Sequence, residues 1–368
     1  MSLKIRDIET PALLIEKTVM ENNIRAMQHL ADLNDVKLRV HIKTHKIPEL
    51  ALKQLKEGAA GIAVAKLGEA EIMAGAGIRD IQVANIIVGP EKIARLLKLH
   101  RTCRITVAID SIENARQLST AFEKAGRILE VLVEINTGLN RAGLNSYDEL
   151  LALLKKCQRL KGLSVTGLMT HAGHAYGARS LAEIEKIGRK EGRILVRYAA
   201  RLKADGFDNV EVVSVGSTPT ARFCSAIKGV TELRVGNYIF NDMSQVSLNM
   251  ASVSDCALTV LSSVVSRPKK SRTVIDAGSK SLALDRGAHG RETIRGFGHI
   301  VGGGGEIIRL SEEHGIIENV TRNFKLGQKI RIMPNHACTV MNLFDHAYLV
   351  DGNTVLKKYP IAARGKSQ

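Results

Sequence analysis

The chain has 368 residues, 45% hydrophobic and 24% charged, which is enough apolar residue for a sizeable core and enough length for two domains. Its formal net charge is +16, but the lysines and arginines are dispersed without a compact basic block, Trp is absent and aromatics make up only 4%; this sets nucleic acid aside as a partner. Five cysteines, an odd number with no CxxC spacing, exclude a disulfide framework and fit a reducing compartment. The polar start, MSLKIRDIETP, lacks the apolar core of a signal peptide, and no apolar run is long enough to cross a membrane, so a cytoplasmic location is expected.

In chain order, a short strand at 12–15 precedes a helical run. From there, short apolar or β-branched runs alternate with amphipathic helical ones. The strands fall at 37–44, 61–65, 80–88, 104–110, 128–136, 163–173, 210–217 and 231–240. Between them lie helix candidates such as PELALKQLKEG, SIENARQLSTAFEKAG, SYDELLALLKKC and the long run 181–204. Eight alternations of strand and helix predict an α/β fold built on a parallel (β/α)8 TIM-type barrel. A doubly wound sheet is disfavoured, because no GxGxxG follows the first of these strands. After Asp242 helical periodicity fades. CALTVLSSVVSR, RTVIDAGSK, QKIRIMPN and AYLVDGNTVLKKYP read as strands, and IVGGGGEIIRL as a glycine-rich loop entering another. The expected division is a barrel over 1–242, whose first residues can also join the second unit, and a C-terminal β-rich domain over 243–368.

In such a barrel the chemistry lies where strands give way to helices. Those ends carry Lys43 and His45, Glu69, Asn85, Asp110, Asn136, Arg141, His171, His174 and Tyr176, then Gly216 to Thr220 and Gly236 to Tyr238. Asp110 and Ser217 also suit plain helix caps. In the first strand Val36, Leu38, Val40 and Ile42 alternate with Lys37, Arg39, His41, Lys43 and His45. Residues two apart share a face, so Lys43 is placed with His41 and His45 toward the barrel interior, and Lys46 outside. A lysine among cations suits a Schiff-base nucleophile. Keeping one neutral at pH 7 costs about 4.6 kcal/mol, and neighbouring charge and burial lower that cost. VGSTPTA and RVGNYIF, at the last two strand ends, suit a phosphate cup. Lysine and cup together point to pyridoxal phosphate (PLP). The set expected around it is Lys43, Arg141, His171, Tyr176, Gly216, Ser217, Thr218, Gly236, Asn237 and Tyr238, with His41 and His45 as neighbours able to tune the lysine. In PNHAC, His336 and Cys338 suit half of a zinc site completed by water and substrate, with manganese or magnesium as alternatives. His29, His100, His289 and His346 read as surface or packing residues.

RVHIKTHK, GEAE, EINTGLNRAG, THAGHAY, VGSTPT, ELRVGNYIF, DAGSK and PNHAC, in this order over nearly the whole chain, resemble the D-threonine aldolase and D-serine dehydratase group of alanine-racemase-type (fold type III) PLP enzymes. The resemblance implies PLP and a divalent metal, with Lys43 carrying the cofactor and Arg141 near its ring oxygen. It implies Ser217, Thr218, Gly236 and Asn237 at the phosphate, His336 and Cys338 on the metal, and a homodimer. NTGLNRAG departs toward the racemases. The implied activity is a lyase on small β-hydroxy D-amino acids. D-serine-type dehydration is favoured because His-x-Cys and THAGHAY look like the dehydratase forms. D-threonine-type aldol cleavage stands as the alternative, with a racemase or a non-catalytic PLP-binding protein behind it.

Overall fold

The protein is described from a computed structural model that covers residues 3–290 and 292–368. Strand β1 (Ala12–Glu16) leads into helix α1 (Lys17–Leu33). Then β2 (Lys37–His41), α2 (Pro48–Lys56), β3 (Gly61–Val64), α3 (Leu67–Gly75), β4 (Asp80–Ile86), α4 (Pro90–Leu99), β5 (Arg104–Ile109) and α5 (Ile112–Lys124) alternate. The run continues through β6 (Leu129–Glu134), α6 (Tyr147–Cys157), β7 (Leu163–Met169), α7 (Leu181–Ala204), β8 (Val212–Val215), α8 (Ala221–Cys224) and β9 (Glu232–Val235). Strands β2 to β9 are parallel and form a closed barrel, sealed where Val40 of β2 lies beside Val235 of β9.

The helices start where the sequence supplies caps. Ser111, Ser146 and Ser180 accept from the backbone N–H groups of Asn114, Glu149 and Glu183 to open α5, α6 and α7. Alternation decides what each strand buries. Leu38, Val40, Ile62, Val64, Val83, Val107 and Val131 face the helices in one continuous core. Arg39 and His41 face inward, as the cation row predicts. Arg39 lies 2.6 Å from Glu232 and 2.5 Å from Asp80, and these pairs close the barrel floor.

The remaining strands form a second sheet. After α9 (Met243–Ser247) come β10 (Leu258–Lys269), β11 (Arg272–Ile275), α10 (Ser279–Leu282), β12 (His299–Ile300), β13 (Glu306–Leu310), β14 (Gly315–Glu318), β15 (Lys329–Met333), α11 (Ala337–Met341), β16 (His346–Asp351) and β17 (Thr354–Pro360). Strand β1 pairs antiparallel with β10 and parallel with β16, so the start of the chain is a strand of this sheet. The glycine run is the β12–β13 connection, where Gly302 to Gly305 all have positive φ. The two units are stitched at the barrel exit: the N–H groups of Met243 and Ser244 donate to the carbonyls of Pro334 and Asn335.

The barrel strands are shorter than expected at the rim. The expected 37–44, 163–173 and 231–240 end at His41, Met169 and Val235. There the backbone turns, and 3-10 turns at Ile42–Thr44, Gly173–Gly177 and Asn237–Ile239 follow.

Candidate active site

A cavity of about 440 Å³ opens at this rim. Lys43 and His41 form one wall, His171 and Tyr176 another, and His336 and Cys338 reach in from the second sheet. Ser217, Thr218, Gly236 and Asn237 form the cup, and Arg141 stands half exposed at the mouth. Among the described residues, no Asp or Glu lines this cavity.

Three expected residues lie elsewhere. The strand ends at His41, so two-residue alternation stops there, and the 3-10 turn carries His45 away from Lys43 into full burial. The Nδ1 of His45 accepts from the Ile47 N–H at 3.1 Å, which leaves Nε2–H to donate to Gln54 Oε1 at 3.1 Å. Burial pushes this imidazole down to about 4, so it is neutral. Gln54 in turn donates to the Tyr238 hydroxyl at 2.8 Å, so both rings belong to a buried chain behind the rim. Only the backbone N–H of Tyr238 reaches the cup, donating to Thr218 Oγ1 at 3.2 Å. Gly216 also lies behind the wall; with φ at 120° it turns the chain into the cup.

Lys43, in the 3-10 turn, and Lys46, just past it, differ in placement. Lys46 is tied to Glu69 at 3.3 Å and donates to Asn342 at 2.8 Å, a structural brace between the two units. Lys43 projects into the cavity. Burial holds its amine below the ordinary lysine value; Arg141 and Arg234 push the same way, against the pull of Cys338 and Glu69. His41 and His171 are depressed too, by burial first and then by Lys43. The Nδ1 of His171 lies 3.2 Å from the Gly216 carbonyl, and its Nε2 is buried with no protein partner.

His336 and Cys338 stand on one buried carboxylate. Asp242 Oδ2 accepts from Asn237 Nδ2 at 2.6 Å and the Ala337 N–H at 2.8 Å, and lies 3.2 Å from His336 Nδ1. That contact leaves Nε2 of His336 to a ligand. Burial alone would depress this imidazole, but Cys338 and Asp242 outweigh it and hold it well above the ordinary range. Burial would likewise raise the Cys338 thiol; His336 and Lys43 reverse that, and Thr44 Oγ1 sits 3.2 Å from the sulfur. No group of three or more His, Cys, Asp or Glu side chains converges among the described residues, so the pair offers two donors and leaves other positions open.

Two wall residues escaped the sequence reading. Arg234, 4% exposed, donates to Ser214 Oγ and to the Thr170 carbonyl beneath the cavity. Its signal was the alternation of ELRV, which places it inward beside Glu232. His289, read as surface or packing, lies at the cavity mouth with ring centroids 4.9 Å from Tyr176 and 5.6 Å from His171. Its loop is long and has no periodicity, so nothing local marked it. Asn136 shapes a neighbouring loop: its Oδ1 accepts from Gly138 and Asn140, and the turn presents Arg141, 3.5 Å from Glu134.

The residues fit both implied groups. PLP needs a suppressible lysine, an unpartnered ring-side donor and a cup without side-chain bulk. A Cβ at Gly236 would stand 2.6 Å from the His41 carbonyl, so only glycine lets the cup close. A thiolate with an oriented imidazole suits zinc.

Residues 15–244 match the family described as "Alanine racemase, N-terminal domain", and residues 257–350 the one described as "Putative serine dehydratase domain". A D-threonine aldolase from Arthrobacter sp. is 34% identical over 365 residues, covering 98% of this chain and 94% of the relative. A D-threo-3-hydroxyaspartate dehydratase from Delftia sp. is 33% identical over 348 residues, covering 90% and 91%. The crystal structure of a D-threonine aldolase from Filomicrobium marinum superposes with a TM-score of 0.92 at 31% identity, covering 99% of this chain and 98% of that one. The chain therefore belongs to the alanine-racemase-type, PLP-dependent family, in its D-threonine aldolase and D-serine dehydratase group.

Proposed function

We propose that the protein is a PLP- and metal-dependent lyase that dehydrates β-hydroxy D-amino acids of the D-serine type to a 2-oxo acid and ammonia. The observation that carries the choice is His336 and Cys338 facing one cavity at i and i+2. Solved variants of D-threo-3-hydroxyaspartate dehydratase replace a histidine and a cysteine with the same spacing, and the cysteine variant is described as in the metal-free form. Aldol cleavage is the second reading, favoured by the Arthrobacter relative.

PLP at Lys43 would supply a sink for the electron pair left at Cα, and a divalent metal, zinc by donor chemistry, would supply a Lewis acid at the β-oxygen. The rest is done by side chains. Lys43, held toward its neutral form, takes the proton from Cα. His336 and Cys338 fix where the β-hydroxyl lies, and Asp242 fixes His336. Ser217, Thr218 and Asn237 would hold the phosphate, and Arg234 sets the charge beneath the cavity. The family resemblance implies a homodimer, whose second subunit would cover the mouth where Arg141 and His289 lie.

Incubation with D-threonine tests the reading. 2-Oxobutanoate and ammonia are expected; acetaldehyde and glycine would replace dehydration with aldol cleavage. Gel filtration with light scattering tests the dimer, which a monomer at working concentration would refute.

A further inference from the structure

The buried face of α7 is apolar along Ile184, Leu195 and Leu202, with one carboxyl among them. Glu191 is 0% exposed, and neither of its oxygens completes a well-formed hydrogen bond. Gly188 and Gly192 flank it. A Cβ at Gly188 would stand 2.9 Å from Phe223 Cβ, and one at Gly192 3.0 Å from Ile227. The helix backbone is thus pressed against segment 220–227, and Glu191 is driven under the cup. Its polar neighbours are the Thr220 hydroxyl and Cys224 thiol of the α8 segment and the Gly216 N–H of the loop after β8. The charged group acting on it is Arg234 of β9. The Cys224 thiol is itself held protonated by burial.

Thr220 links this carboxyl to the cup. Its Oγ1 accepts from the Ser217 N–H at 3.1 Å and lies 3.0 Å from Ser217 Oγ. The direction of that second bond depends on Glu191. As a carboxylate, Glu191 draws the Thr220 O–H from its present acceptor, the Ser217 carbonyl at 3.3 Å; Thr220 Oγ1 then offers Ser217 a lone pair, and a Ser217 that donates to it shows the cavity a lone pair of its own. As a carboxylic acid, Glu191 donates to Thr220 and Thr220 donates to Ser217. Ser217 O–H is then free to donate into the cavity, its other acceptor being the Ala172 carbonyl at a long 3.4 Å.

We propose that Glu191 is a positioning residue that acts through Thr220, turning Ser217 into a hydrogen-bond donor to the cofactor phosphate when its carboxyl is protonated and into an acceptor when it is ionised. The inference rests on the cup being the phosphate site. Burial supports it by pushing the carboxyl up to about 7, so that both states are populated near neutrality.

The test compares the affinity of the cofactor-free protein for PLP with that for pyridoxal, which lacks the phosphate, by calorimetry from about pH 6 to about pH 8.5. In the wild type the preference for PLP should fall about tenfold across this range relative to Glu191→Gln, the value of one hydrogen bond to a charged group. The amide of Glu191→Gln keeps the donor and flattens the profile. Thr220→Val removes the acceptor that draws Ser217 away from the cavity, so its preference should stay at the wild-type low-pH level throughout, and it decides the matter even if the glutamine variant does not fold. Identical profiles for wild type and variants overturn the role of Glu191 while leaving the cup in place. Equal affinity for PLP and pyridoxal at every pH overturns the cup as well.

Discussion

Asp242→Asn is the sharpest perturbation of this site, because one fully buried carboxylate joins the cup to the metal pair. Its Oδ2 holds Asn237, the Ala337 N–H and His336, and its Oδ1 caps α9 by accepting from the Gln245 N–H at 3.2 Å. The amide is isosteric, so no cavity opens. In the better of its two orientations, the amide oxygen keeps the three Oδ2 partners and the NH2 faces the Gln245 N–H. The cap is then lost, at about 1 kcal/mol, and each of three charge-assisted bonds falls to a neutral one, at roughly 1 kcal/mol or less each. The sum is about 3 kcal/mol of stability. His336 keeps only a neutral amide oxygen in place of the carboxylate that orients its ring, and weakening such a partner is worth about tenfold or more in metal affinity. Urea unfolding reads the first quantity, and zinc titration against a chromophoric chelator the second. A folded Asp242→Asn protein that binds zinc within about twofold of wild type would refute the claim that Asp242 orients the pair.

Lys43→Ala should abolish the visible absorption of the PLP-loaded protein. Lys46→Ala should keep it and cost about 1 kcal/mol in urea unfolding, since it loses only the brace to Glu69 and Asn342. His45→Ala should cost about 2 to 3 kcal/mol of stability by orphaning Gln54, yet leave PLP affinity within about threefold, because His45 does not reach the cavity. For the pH dependence of folding, the Glu191 carboxyl is raised in the folded protein, from an ordinary 4.5 to about 7. Its contribution is therefore whole below the unfolded value and is lost as pH rises through about 7, to the extent of about 3 kcal/mol. Unfolding of cofactor-free wild type and Glu191→Gln across this window should diverge by that order, and parallel curves would show that the carboxyl finds a better partner.

The barrel was legible because two periodicities alternate eight times and the caps sit where they should. The inward face of Arg39 and His41 was legible from alternation, whereas Lys43 lies in the turn that follows the strand. His45 was not, because a two-residue rule was carried past the last strand residue into a 3-10 turn, where the repeat is about three; Tyr238 stands in the RVGNYIF loop, but its ring lies behind the rim. The rim residues most needed for function are those at which strand geometry stops applying. Arg234 stood in view in ELRV but was passed over for the polar loop beside it. His289 and Asp242 depend on contacts between segments 94 and more residues apart, or on a loop without pattern, and local reading has no access to either.

One arrangement runs through all of these contacts. The cavity wall carries amines, imidazoles, guanidinium groups and hydroxyls, while the carboxylates stand one layer back. Asp242 is behind His336, Glu134 beside Arg141, Glu232 below Arg234 through Ser214, and Glu191 under Ser217. A carboxylate in the wall about 5 Å from a dianionic phosphate would cost about 7 kcal/mol at an effective dielectric constant of 20. Set behind a donor, the same charge instead fixes which way that donor points. Burial works in opposite directions on the two layers, lowering Lys43 and His171 toward neutrality and raising Glu191 likewise. The fixed charges at the wall are thus cationic, on Arg234 and Arg141, with the carboxylates behind, and an arriving anion meets donors already turned toward it.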